Sequence, residues 1–155
     1  MTFQITALDP APYAPLFALS DDELRARGAR RVVADASPGF PCRASLADAE
    51  PGETLILVNH QHLDGVTPYA AAHAVFFREG AAMAEPAPGE VPLVLRRRLL
   101  SVRAFNADKM MIDAEVLDGQ DLAAHLDALF ARPEIAFVHV HNARPGCFAA
   151  AAGRA

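Results

Sequence analysis

Apolar and polar residues change rhythm several times along this chain, and each change marks an element. Ser20-Asp21-Asp22-Glu23 fits a capping box, in which a serine oxygen and a glutamate carboxylate satisfy each other's free backbone amides. Leu19 and Leu24 stand where a hydrophobic staple would close that helix start, Arg25 and Arg27 suit its negative end, and Gly28 suits its stop. A longer helix is predicted over Asp121 to Ala131, where Leu122, Leu126, Leu129 and Phe130 form one buried stripe and Pro133 limits the end. Thr54 to Val58 is apolar throughout, as in a central strand covered on both faces. Arg31 to Ala34 and His73 to Phe77 read as further strands, and Ile135 to His141 as the last long one, with Cys147-Phe148 opening a final short one. Leu99 to Phe105 and Met110 to Leu117 flank a turn at Asn106 to Lys109, the pattern of a hairpin with an exposed tip.

Together these elements predict a single α+β domain over residues 1–155, a mixed and mainly antiparallel sheet with one long and one short helix packed on it. The 12 prolines favour short elements joined by turns, and Pro86 to Pro92 is the best exposed loop. An apolar fraction of 52% and a charged fraction of 21% suit a folded globular chain. A domain of this length buries roughly two-thirds of its unfolded surface. A net charge of −5 offers phosphate backbones no general attraction, which argues against a nucleic-acid partner. The N-terminus shows no secretion signal, no apolar run reaches the roughly 18 residues of a membrane span, and two cysteines are too few for a disulfide scaffold. A cytoplasmic protein with no membrane partner is expected.

Chemistry concentrates near the C-terminus. His139 and His141 lie two apart on a predicted strand, so both imidazoles share a face. Cys147 follows a Pro145-Gly146 turn able to fold it back, so His139, His141 and Cys147 make a candidate zinc set, with Cys42 a further ligand. The same residues suit a nucleophile site, with Cys147 or Cys42 activated by a histidine and Asn142 orienting the ring. Against both stands the plain structural reading of hydrogen-bonded histidines and a buried, inert cysteine. Asn59-His60-Gln61-His62-Leu63-Asp64-Gly65 is similar to the His-x-His-x-Asp-His loop of metallo-β-lactamase-fold hydrolases. Gly65 replaces the last histidine and the chain is too short for that fold, so the segment reads as a polar turn after a strand. Arg96-Arg97-Arg98 reads as a solvated basic patch. Arg43, Arg103 and Arg144 suit carboxylate or phosphate, or structural ion pairs with Glu53, Asp113 and Glu115; the first two acids also rank as acid–base candidates. No GxGxxG, Walker or HExxH string is present.

Five strings run in order from about residue 40 onward: Pro41-Cys42-Arg43-Ala44-Ser45-Leu46, Pro51-Gly52-Glu53, Pro68-Tyr69, Arg98 to Phe105, and His139-Val140-His141-Asn142-Ala143-Arg144-Pro145-Gly146-Cys147-Phe148. In these the chain resembles the bacterial family called domain of unknown function 1203. The resemblance implies a similar fold and a bacterial source, and carries no activity. The leading expectation is a Cys/Arg/His-lined pocket binding a small, anionic molecule or a metal, drawn from Cys42, Arg43, Arg103, His139, His141, Asn142, Arg144 and Cys147. The alternatives are a non-catalytic protein-interaction module and a small metal- or cysteine-dependent enzyme.

Overall fold

The computed structural model describes residues 2–155. In chain order the elements are β1 (Phe3–Thr6), α1 (Asp21–Ala26), β2 (Arg30–Val33), β3 (Pro41–Cys42), β4 (Ala47–Asp48), β5 (Thr54–Leu63), β6 (Ala71–Arg78), α2 (Leu93–Arg96), β7 (Leu99–Phe105), β8 (Met111–Asp118), α3 (Leu122–Phe130), β9 (Phe137–Asn142) and β10 (Phe148–Arg154). The fold is α+β, and every strand pairing is antiparallel except β3 with β6. The strands divide between two five-stranded sheets, β1-β10-β9-β7-β8 and β2-β5-β6-β3-β4, where the hydrophobic pattern pointed to one. Period-2 alternation shows that a strand has two faces but not which sheet it joins.

The first sheet has a conventional core on one face. Leu100, Val102 and Ala104 of β7 and Val138 and Val140 of β9 pack with Leu122, Leu126, Leu129 and Phe130 of α3, the stripe predicted from its spacing. The second sheet buries Ile56 and Val58 with Val75, Phe77 and Leu24 of α1, and buries Leu55 in a separate cluster with Ala34 and Ala49. Strand β5 is therefore covered on both faces, as its unbroken apolar run requires. The α1 capping box is complete: the Glu23 amide donates to Ser20 Oγ at 3.2 Å and the Ser20 amide to a Glu23 carboxylate oxygen at 2.7 Å. Leu19 packs against the same cluster as Leu24.

Four features depart from the pattern. Strand β5 continues to Leu63, so the polar stretch at His60 to His62 is strand and not turn. Strand β10 runs for 7 residues through the alanine-rich tail, where pairing with β1 on one side and β9 on the other overrides the poor strand propensity of alanine. Elements β1, β3, β4 and α2 have 4 residues or fewer, too short to impose a period. The Asn106–Lys109 hairpin turn forms, but its tip is tied down: Lys109 Nζ donates to Asp64 at 2.8 Å, and Thr67 Oγ1 donates to the Lys109 carbonyl at 2.8 Å. No helix among the described residues is long and apolar enough to cross a membrane.

Candidate functional site

The alternation of β9 sets the site. Val138 and Val140 face the α3 core, so His139 and His141 project from the opposite face, toward the second sheet. Across the β7–β9 ladder Arg103 stands opposite His139 and Ser101 opposite His141, adding a guanidinium and a hydroxyl to that face. Arg103 Nε donates to Ser101 Oγ at 3.3 Å.

The second sheet answers with His62. The register between β5 and β6 steps from Gln61↔Ala72 to Leu63↔Ala71, so His62 is the extra residue of a β-bulge. On a regular strand His60 and His62 would share a face. The bulge separates them. His60 Nδ1 meets the Tyr13 hydroxyl at 2.7 Å, whereas His62 turns to the first sheet and stacks on Phe148 at 5.0 Å. His62 Nδ1 lies 3.3 Å from His139 Nδ1. One ring nitrogen from each of His62, His139 and His141 falls within 4.8 Å of the others. His73 stacks parallel on His62 at 4.8 Å and meets His141 edge-on at 5.2 Å. Burial holds His62 and His139 down at about 4 and His141 at about 3, and the nearby Arg103 charge lowers all three further. All are neutral imidazoles at pH 7.

His73 also lines a pocket of about 770 Å³ beside the cluster, shared by Arg43, Asn142, Arg144 and Cys147 with an apolar wall that includes Leu57, Phe76 and Leu99. Arg43 is 2% exposed, and no carboxylate lies within ion-pair reach of it among the described residues. Its Nε donates to the Phe148 carbonyl at 2.8 Å, Nη1 to the Pro41 carbonyl at 2.5 Å and Nη2 to Cys147 Sγ at 3.0 Å. Burial lowers the Arg43 pKa, and Cys147 works against that shift. Asn142 Nδ2 also approaches Cys147 Sγ at 3.6 Å, while Asn142 Oδ1 is buried with no partner among the described residues.

The residues singled out by sequence thus fall into two neighbouring groups. His139 and His141 join His62, and Cys147 stands instead with Arg43, Asn142 and Arg144 around the pocket. Cys42 is buried and free, its sulfur accepting from the Ser45 and Arg78 amides at 3.4 and 3.3 Å. The acids expected to neutralise the arginines are used elsewhere: Glu53 pairs with Arg78 and Asp113 with Arg132. Nor is the Arg96–Arg98 run simply solvated, since Arg97 and Arg98 both reach the Asp48 carboxylate, Arg98 at 2.5 Å. The sequence held a sign of His62 in the His60-x-His62-x-Asp64 spacing, but Gly65 in place of a further histidine made that segment read as a polar turn, and a bulge leaves no mark in the alternation.

Neither a curated protein nor a solved structure matches the chain. The model of the family described as "Protein of unknown function (DUF1203)" matches residues 39–154, a span that includes every residue of the cluster and the pocket described above, and the chain belongs to that family.

Proposed function

We propose that this protein binds a small organic anion in the pocket at Arg43, with the negative group held at the arginine-rich end and an apolar body against Leu57, Phe76 and Leu99. The observation that carries this reading is the buried Arg43 guanidinium without a carboxylate. A buried charge is strongly penalised unless paired. Two backbone carbonyls and the Cys147 sulfur satisfy the hydrogen-bonding geometry of Arg43, but no carboxylate among the described residues neutralises it. An anion entering the pocket supplies the counter-charge. Arg144, exposed on the rim and in no ion pair among the described residues, adds a second cation. The apolar wall and the size of the cavity favour an organic acid over a bare inorganic ion.

The probe for this reading is 8-anilinonaphthalene-1-sulfonate, an anion on an aromatic body, titrated calorimetrically against the native protein. One saturable equivalent is expected, with weaker binding of the uncharged analogue lacking the sulfonate. Arg144→Ala, at an exposed position, should weaken binding about tenfold, the loss of one charge-assisted contact. Bound probe should also slow alkylation of Cys147 by iodoacetamide. Absence of saturable binding, or binding indifferent to both the sulfonate and Arg144, would overturn the reading.

A further inference from the structure

We propose that His62, His139 and His141 form a binding site for a divalent late first-row transition ion, of which zinc is the test case. This goes beyond the anion pocket, and its argument uses different residues.

One pair of ring nitrogens already stands at the spacing such an ion demands, and the third, within 4.8 Å of the others, draws in to complete the set. Zinc–imidazole bonds of about 2.0–2.1 Å at tetrahedral angles put neighbouring ligand nitrogens about 3.3–3.4 Å apart. His62 Nδ1 and His139 Nδ1 are 3.3 Å apart. The third ring is set by its outer hydrogen bond. His141 Nδ1 lies 3.1 Å from the Gly146 carbonyl, which can only accept, so the proton of the neutral ring sits on Nδ1 and the lone pair on Nε2. That Nε2 is buried and has no partner among the described residues. A metal-bound histidine is oriented in this way, its second nitrogen donating to a carbonyl.

A purely structural hydrogen-bond network accounts less well for the same atoms. Buried polar atoms in native proteins almost always find partners. Here His141 Nε2 is buried without one among the described residues. Phe148 stacks on His62 and meets His139 and His141 edge-on, and Phe105 and Phe137 pack on His139, so an apolar shell surrounds the nitrogens. The donor set selects the ion: three neutral imidazoles and no carboxylate suit zinc and its neighbours, not magnesium or calcium. Arg103 opposes a cation here. Its charge is offset if the position left open by three protein ligands takes an anion, such as hydroxide or a ligand carboxylate.

The test uses untagged, chelator-stripped protein titrated with Zn²⁺ by competition against a chromophoric chelator, and with Co²⁺ by visible absorption. One equivalent of zinc is expected, with a four- or five-coordinate Co²⁺ spectrum and no comparable binding of Mg²⁺. His62→Ala, at a half-buried position, should weaken zinc binding about 100-fold or more, while His125→Ala on α3 leaves it unchanged. X-ray absorption of the zinc-loaded parent protein provides a readout independent of any variant and should show imidazole scattering without sulfur. Sub-stoichiometric binding, full affinity in His62→Ala, or a sulfur ligand (which would point to Cys147) overturns the site. None of these readouts depends on the anion pocket being occupied.

Discussion

Acidifying the metal-free protein from pH 7 to pH 5 should remove a large part of its stability, and the histidines of β9 set the size of the loss. His139 is 6% exposed and His141 is fully buried. Burial, reinforced by Arg103, holds them at about 4 and about 3, with the Gly146 carbonyl pulling His141 the other way. In the unfolded chain both return to about 6.5. Between these values the unfolded state takes up protons that the native state refuses, so stability rises with pH and falls on acidification. The contribution is complete above about pH 6.5 and is lost progressively as pH falls toward the folded values. From pH 7 to pH 5 each ring accounts for about 2 kcal/mol, or about 4 kcal/mol for the two. Single domains have a total stability of about 5–15 kcal/mol. His62, held at about 4 chiefly by burial, adds a similar amount, and His73, also lowered chiefly by burial, adds in the same direction. The acids with lowered values, Glu23, Asp64 and Glu134, titrate below this window and do not confuse it. The assay is a series of urea unfolding curves at fixed ionic strength in chelating buffer, with His141→Gln as the comparison. The midpoint should fall steeply for the parent protein and distinctly less for the variant. A midpoint that stays level from pH 7 to pH 5 would mean that the rings accept protons without unfolding, and the burial argument would be wrong.

Three further substitutions probe the scaffold. Ser20→Ala removes the oxygen that caps the Glu23 amide and should cost about 1 kcal/mol by thermal or urea unfolding, with no change in the rest of the fold. Asp48→Ala leaves Arg98, and with it Arg97, without the carboxylate that neutralises them, and the Asp48 side chain is only 4% exposed. It should destabilise by about 3–5 kcal/mol, and a double-mutant cycle with Arg98→Met should recover much of that loss. Gly119→Ala would place its Cβ 2.0 Å from the Leu95 carbonyl oxygen and 2.9 Å from Arg96 backbone atoms. Backbone cannot swing aside as a side chain does, so a loss of roughly 3 kcal/mol or more in urea unfolding is expected.

Local and periodic features were legible in the chain itself. The capping box at Ser20, the Leu122-to-Phe130 stripe and the two-sided burial of Thr54 to Val58 follow from contacts between near neighbours or from a regular repeat, which a sequence records directly. The pairing of His139 with His141 on one face is of this kind, because strand alternation alone decides it. What the tertiary structure decided involves residues far apart in the chain or breaks in a repeat. His62 reaches His139 across 77 positions only because one extra residue at a bulge turns it away from His60. Arg43 meets Cys147 across 104 positions, and its lack of a carboxylate shows only once Glu53 and Asp113 are seen beside Arg78 and Arg132. The need for glycine at position 119 likewise arises from the Leu95 carbonyl of a different element. The residue types for both sites were visible in the sequence, but their grouping into a three-histidine cluster and an arginine–cysteine pocket depends on how two sheets face each other, which no local pattern encodes.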